Sequence, residues 1–404
     1  MTQTVRTIWN AWEEQTQTFE FPPTWNIHEH QLPLTGALVE AEIHAVLETA
    51  FRDPEWLSIA GPARSVCILV DDLTRPVQWG PVLRPLLELL ATAGKPASSI
   101  RLLVSLAGHA PMSQTELEWK LGAAIVQNYP IAQHSLDGPF EWIEVNGQRV
   151  GLHRDYVTAD CRIALGSLIP HPFAGFSGGG KAVMPGIADH DTIRRNHALV
   201  AFGRGKVADT KNGIREQMES IAAASGLHLL VNAMVNGRRE IAALFAGRPA
   251  ETYREGAATA RRYCASPPIN DPNIIVLNAY PKDREMLQVS NAFNVLRTLP
   301  AASIPRVAAT VLIARATSGL GFHALFGPGG ALWRKPMPVS SLKHAPMLVY
   351  APGLDPAALD ATLHGTLFTN WNELLRHLES HQLPRYDVAF YHQASLQTAE
   401  GHEG

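Results

Sequence analysis

The feature that most constrains this chain is an alternation in which short apolar runs, rich in β-branched residues, are each followed by a stretch with helical spacing of its apolar positions. Ser65–Asp72 precedes Pro81–Leu90, Ile100–Leu106 precedes Gln114–Gly122, and Cys161–Ile169 precedes Asp189–Ala201. Parallel strands need a long crossover, usually a helix, between them. The pattern therefore predicts an α/β fold: two α/β domains with mostly parallel sheets around a central cleft. Trp142–Val145 and Gln148–Leu152 flank Asn146-Gly147, a pair that tolerates the positive φ angles of a tight turn, so a hairpin set apart from the main sheet is expected there.

Three prolines in Ser266–Pro272 interrupt regular structure before the apolar run Ile274–Leu277, which marks a domain boundary. Residues 1–265 are expected to form a larger domain carrying the principal site, and residues 266–404 a smaller one closing over it. The second part alternates again through Asn291–Leu299, Thr310–Ala316, Met347–Ala351, Asn372–Leu378 and Asp387–Tyr391.

With 46% hydrophobic residues in 404, the chain can bury a substantial core. Its net charge of −3 implies no broad basic surface, so nucleic acid is not an expected partner. Met1–Glu14 lacks a signal-peptide core and no run approaches a membrane span, which points to a cytoplasmic protein with no membrane partner. Cys67, Cys161 and Cys264 are odd in number and far apart, as reduced core thiols would be, rather than disulfides or zinc ligands.

The strongest local signal is His171-Pro172-Phe173-Ala174-Gly175-Phe176-Ser177-Gly178-Gly179-Gly180-Lys181, directly after Cys161–Ile169. Glycines before a lysine let backbone N–H groups approach an anion closely, and strand ends are where open α/β sheets bind ligands. Ser177, Gly178, Gly179, Gly180 and Lys181 are thus candidates for holding a nucleotide. The spacing also approximates a nucleoside-triphosphate loop, but Ala182 stands where a Ser or Thr should hold magnesium, which counts against an ATPase or kinase. Asp71-Asp72-Leu73-Thr74-Arg75-Pro76 ends another strand, where Arg75 can grip a carboxylate bidentately and Asp72 can accept from ribose hydroxyls or orient a neighbour. The alternative is an Asp–Arg pair capping a turn. His109 follows a further apolar run, in the position that His171 holds after its own, so two imidazoles and an Arg are candidates to converge at one sheet edge. His197 falls in the helical stretch Asp191–Val200, and taken alone it reads as a surface or interface residue; the sequence assigns no role to His190 or Asp71.

Taken together, Asp-Asp-Leu-Thr-Arg-Pro, His-Pro-Phe-Ala-Gly-Phe-Ser-Gly-Gly-Gly-Lys and the downstream His197 resemble the nickel-pincer cofactor-dependent lactate racemase family, from about Asp71 through Gln288. The resemblance implies a pyridinium mononucleotide bearing two sulfur-containing carboxyl derivatives, joined covalently to Lys181 as a thioamide, its nickel held by two sulfurs, a ring carbon and His197. It also implies His109 and His171 as the acid/base pair, Arg75 as holder of the substrate carboxylate, and a 2-hydroxyacid racemase or epimerase working by reversible hydride transfer. That chemistry is reasonable, because Cα–H beside an ionised carboxylate is a poor acid, and one histidine for each face of the ketoacid accounts for two.

Two departures bear on the substrate. The family's Gln-x-x-Lys pair is here Gln288-x-x-Asn291, one helical face with its charge missing, and Gly108 and Ala110 flank His109 where lactate racemases commonly carry Thr and Arg. Fewer positive groups and more neutral hydrogen-bonding capacity suit a sugar acid better than lactate, with a short-chain hydroxyacid as the alternative. A nucleotide-binding sensor that has lost activity is a further alternative, against which the joint presence of His109, His171, Lys181 and His197 speaks.

Overall fold

The computed structural model describes residues 2–33, 35–202, 206–267, 271–299, 307–334 and 345–400. They form two units of α/β architecture: Thr35–Ile169 with Phe173–Ala260, and Met1–Leu34 with Pro170–Pro172 and Arg261–Gly404.

The first unit is built on a six-stranded sheet ordered Ile241–Gly247, Leu229–Val235, Cys161–Ser167, Val66–Asp71, Ile100–Ser105, Ile131–Gln133. All neighbours are parallel except the pair Leu229–Val235 and Ile241–Gly247. Strands buried on both faces read as unbroken apolar runs, and Val66–Val70 and Leu229–Val235 are buried at every position. The first strand of the sheet lies at its centre. Chain direction therefore reverses between Val66–Asp71 and Cys161–Ser167, a switch point that opens a crevice beyond their carboxyl ends. The Phe140–Val145 and Gln148–His153 hairpin is a separate two-stranded sheet, and its turn residues Asn146 and Gly147 have φ of 52° and 72°.

The second unit carries a wholly parallel sheet ordered Thr366–Phe368, Met347–Tyr350, Ala309–Ile313, Ile274–Asn278, Asp387–Tyr391, Asn26–His30. One face is covered by Met286, Val289, Phe293, Leu296 and Leu359. Against the other pack Leu374 and Leu378 of the helix Trp371–Ser380, together with Val5, Trp9, Phe19 and Phe21 of the antiparallel hairpin Gln3–Trp9 and Gln15–Phe21.

The expected division at residues 265 and 266 differs from this arrangement at the amino terminus. Met1–Leu34 joins the carboxyl-terminal unit because Asn26–His30 pairs in parallel with Asp387–Tyr391. Within the proline-rich stretch expected as the boundary, residues 268–270 lie outside the described residues. Cys67, Cys161 and Cys264 are buried, unpaired thiols, and burial pushes Cys161 and Cys264 up to about 12. Among the described residues no helix is long and apolar enough to cross a membrane.

Candidate active site

At the switch point of the first unit, the residues after Val66–Asp71 fold back in a tight turn, with Arg75 N–H donating to Asp72 O at 3.2 Å. Asp72 is buried, 4% exposed, and both its oxygens are engaged. Oδ1 accepts from the Thr74 hydroxyl at 2.6 Å, and Oδ2 accepts a short hydrogen bond from His109 Nδ1. Arg75 Nη1 in turn donates to Thr74 Oγ1 at 2.7 Å. One hydrogen-bonded chain thus runs from Arg75 through Thr74 and Asp72 to His109. Burial pushes the Asp72 carboxyl up, but His109, its hydrogen bond, Arg75 and Thr74 together outweigh that and hold it well below the usual carboxylate range. An ionised Asp72 keeps the proton on His109 Nδ1 and presents Nε2 as the exchanging nitrogen, the arrangement of an oriented general base. Asp72 is hydrogen-bonded to His109, as a residue that orients a neighbour would be.

The glycine-lysine segment leaves the strand Cys161–Ser167, passes Ala174–Phe176 and ends in the short turn Gly179–Ala182. Its amides are tied inward: Ser177 N–H donates to Ile169 O at 2.8 Å, Gly179 N–H to Asn232 Oδ1 at 3.3 Å and Gly180 N–H to Glu219 Oε1 at 3.0 Å. Gly179 and Gly180 also permit close packing of the segment against its neighbours. A Cβ on Gly179 would come within 2.6 Å of Glu219 and 2.7 Å of the Tyr253 ring, and one on Gly180 within 2.8 Å of Met218 O. Arg215, itself fully buried, fastens the segment by donating to the carbonyls of Ala174, Phe176 and Gly178, and it pairs with Glu219 at 2.8 Å. Ser177 Oγ is buried and finds no hydrogen-bond partner among the described residues.

Lys181 is partly buried. Desolvation, then the charges of Arg75 and Arg215, pull its amine well below the ordinary lysine range, opposed by Asp72 and Asp71. A lysine so placed gives up its proton more readily than an exposed one, which favours use of its amine as a nucleophile. Lys181 thus lies within electrostatic reach of the Asp72–Arg75 turn. His197 lies on the helix His190–Ala198, which Asp189 caps through Asp191 N–H and Thr192 N–H. It is 7% exposed, which replaces the surface reading of its sequence position. Burial, with the Lys181 charge adding to it, lowers His197 to about 4. Its Nδ1 lies 3.0 Å from the Ile193 carbonyl, so the proton resides there and the lone pair on Nε2, as a metal-binding imidazole requires. Among the described residues no group of three or more His, Cys, Asp or Glu stands in metal-holding geometry.

Not every candidate falls in this cluster. His171 lies in Pro170–Pro172, which groups with the second unit, and is partly buried. Gln288 and Asn291 also belong to the second unit, where their side chains meet: Asn291 Nδ2 donates to Gln288 O at 2.7 Å and lies 3.4 Å from Gln288 Oε1. His190 is exposed, 3.7 Å from Asp191. Sequence reasoning passed over Thr74, Lys120, Arg215 and Glu219. Of these, only the Arg215–Glu219 spacing, i and i+4 on a helix, carried a signal that could have been read.

Residues 12–208 match the profile of the lactate racemase N-terminal domain. The chain is 29% identical over 238 residues to the lactate racemase of Lactiplantibacillus plantarum, covering 57% of this chain and 56% of that protein. It is 27% identical over 223 residues to the lactate racemase of Thermoanaerobacterium thermosaccharolyticum, covering 53% and 52%. The chain thus spans about half the length of the curated relatives it matches. In three dimensions it is similar to the lactate racemase apoprotein of T. thermosaccharolyticum, with a TM-score of 0.74 at 18% identity over 98% of this chain and 100% of that one. It also resembles a Thermotoga maritima protein, with a TM-score of 0.66 at 16% identity over 91% and 99%. At these identities the structural likeness speaks to the fold.

Proposed function

We propose that this chain is a member of the lactate racemase family and an isomerase inverting C2 of a 2-hydroxyacid, with a nickel-pincer nucleotide attached at Lys181. The observation that carries this reading is the meeting, at one switch point, of an oriented imidazole (His109 on Asp72) with a lysine amine held well below its ordinary range.

The residues fit such a group. The Lys181 amine, lowered below the ordinary lysine range, can form the covalent link, and the buried Ser177 hydroxyl beside Gly178, Gly179 and Gly180 has hydrogen-bonding capacity left for it. His197 offers a neutral imidazole of fixed tautomer to nickel, and the nucleotide's own sulfurs would supply further donors. When bound, the nucleotide supplies a ring able to take up and return the C2 hydrogen with its electron pair. This chain's residues do the rest. Arg75 holds the substrate carboxylate; His109 Nε2 takes the hydroxyl proton on one face and His171 serves the other; Asp72 keeps His109 in the tautomer that can do so.

The substrate class we favour is a sugar acid. Gln288 and Asn291 form a neutral amide pair in place of a charged one, suited to chain hydroxyls, and a missing charged hydrogen bond costs roughly 1.5–3 kcal/mol, about one to two powers of ten in specificity. Lactate or another short hydroxyacid is the alternative. The test uses protein made in cells able to build the cofactor, analysed by intact mass and incubated with lactate, malate, phenyllactate and several aldonic acids, with C2 configuration read by chiral chromatography. We expect an adduct on Lys181 and inversion of an aldonate with little lactate turnover. Lactate as best substrate overturns the sugar-acid reading alone; an adduct without inversion of any hydroxyacid overturns the racemase.

A further inference from the structure

Beneath the Asp72–Arg75 turn lies a charge pair that the proposed chemistry does not use. Lys120, on the helix Gln114–Leu121, is fully buried, 0% exposed, and its ammonium sits 2.7 Å from Asp71 Oδ1. A buried lysine is costly unless its donors are matched, and here the second acceptor is informative: Lys120 Nζ donates to the backbone carbonyl of Arg75 at 3.0 Å. Asp71 is matched in turn. Its Oδ1 also accepts from Trp79 Nε1 at 2.7 Å, and its Oδ2 accepts from Ser167 N–H at 2.7 Å and Ser167 Oγ at 2.6 Å. Asp71 thereby ties together the two strand ends that define the switch point, Val66–Asp71 and Cys161–Ser167, while Trp79 N–H donates to Lys120 O at 2.7 Å and fixes the end of the lysine's own helix.

We infer that Lys120 is a positioning residue for Arg75, its ammonium clamping the carboxyl end of the Asp72–Arg75 turn to Asp71 so that the guanidinium is held at a fixed place relative to the Asp72–His109 pair. A general solvent-exclusion role would require only that Lys120 be buried. The bond to the Arg75 carbonyl is specific to the residue whose side chain grips the carboxylate, and the inference rests on that reading of Arg75. Displacing such a group by about 1 Å can cost around a hundredfold in rate, so the contact has room to matter.

The test compares Lys120→Met with Trp79→Phe in the cofactor-loaded protein. Each removes one donor from the same Asp71 oxygen, but only the first also releases the Arg75 carbonyl. Both are expected to melt at lower temperature, and both are assayed where circular dichroism shows them folded. Lys120→Met should raise KM for the 2-hydroxyacid by about tenfold or more, in excess of any change in kcat, while Trp79→Phe leaves KM near the parent value. Equal KM for the two variants overturns the positioning role. Should the parent protein invert no hydroxyacid, the proposed function fails, and the clamp is judged by amide hydrogen exchange: faster exchange at the Arg75 amide in Lys120→Met than in Trp79→Phe supports it, and equal exchange refutes it.

Discussion

The two units repeat one architectural device and fill it differently. Each has a six-stranded sheet, mostly parallel in one and wholly so in the other, with a switch point, Val66–Asp71 beside Cys161–Ser167 in the first and Ile274–Asn278 beside Asp387–Tyr391 in the second. At the first edge the side chains are charged, buried and perturbed: Asp72 is held low, Lys120 and Lys181 are lowered, and His109 is bound to a carboxylate. The second edge also buries charge, with Asp283 Oδ1 accepting from Ala11 N–H at 3.1 Å and His392 paired with Glu29 at 2.8 Å, but its polar side chains largely close upon backbone. Asn278 Nδ2 donates to Ile8 O at 2.8 Å, Ser395 Oγ to Tyr280 O at 3.0 Å, and Gln393 Oε1 accepts from Leu32 N–H at 3.1 Å. Topology opens a crevice in both, then: at the second it is covered by the amino-terminal segment, whereas the first is the edge we propose for catalysis.

The largest effect that could break this comparison is expected from Lys181→Ala. It should abolish the covalent adduct completely, by intact mass, while far-UV circular dichroism stays unchanged; an adduct of parent mass in this variant would end the assignment of the first edge. Next is Asp72→Asn, which preserves shape but removes the charge that orients His109. By analogy with other carboxylate–imidazole pairs, kcat should fall about a hundredfold or more with the protein still folded, and near-parent turnover would mean that His109 does not act as the base.

Acid sensitivity sharpens the comparison, since here the units should agree. Burial, first among the causes in each, lowers His134 in the first unit and His30 in the second to about 4. A histidine whose folded value lies below its unfolded value of 6.5 leaves the unfolded chain binding more protons between the two, so its stability contribution is full above about 6.5 and is lost as pH falls toward 4. Urea titrations of His134→Asn between pH 7 and pH 4 should show a flatter decline than the parent, by up to about 3 kcal/mol at the acid end. A slope equal to the parent's would mean His134 is not buried neutral. The smallest effect belongs to the sealed edge. Asn278→Ala removes the bonds that anchor Ile8, and scanning calorimetry should record a loss of about 1–3 kcal/mol; an unchanged melting temperature would show that the seal does not depend on them.

What the sequence disclosed and what it hid follow from range. The runs Val66–Asp71, Ile100–Ser105 and Cys161–Ser167 were visible because a strand buried on both faces is apolar throughout, and the Asn146-Gly147 turn because its φ angles select residue type. The motifs at strand ends could be placed at a sheet edge for the same local reason. Pairing of Asn26–His30 with Asp387–Tyr391 left no local mark, since its partners are 361 residues apart. The glycines were legible as a place where backbone comes close to something, but what they approach, Glu219 and Tyr253, lies tens of residues onward. Lys120 could not be told from a solvated lysine, because its buried ammonium is matched by a carboxylate on a distant strand.

The strand Asn26–His30 also has a consequence in time. A nascent chain emerges amino terminus first, so this segment leaves the ribosome long before Asp387–Tyr391 exists to receive it. The unit spanning Thr35–Ala260 can complete its sheet from what has already been made, whereas Asn26–His30 must wait until Asp387–Tyr391 has followed. Such a long closure is slow and leaves the edge of Asn26–His30 unpaired meanwhile, a strand open to pairing with another chain.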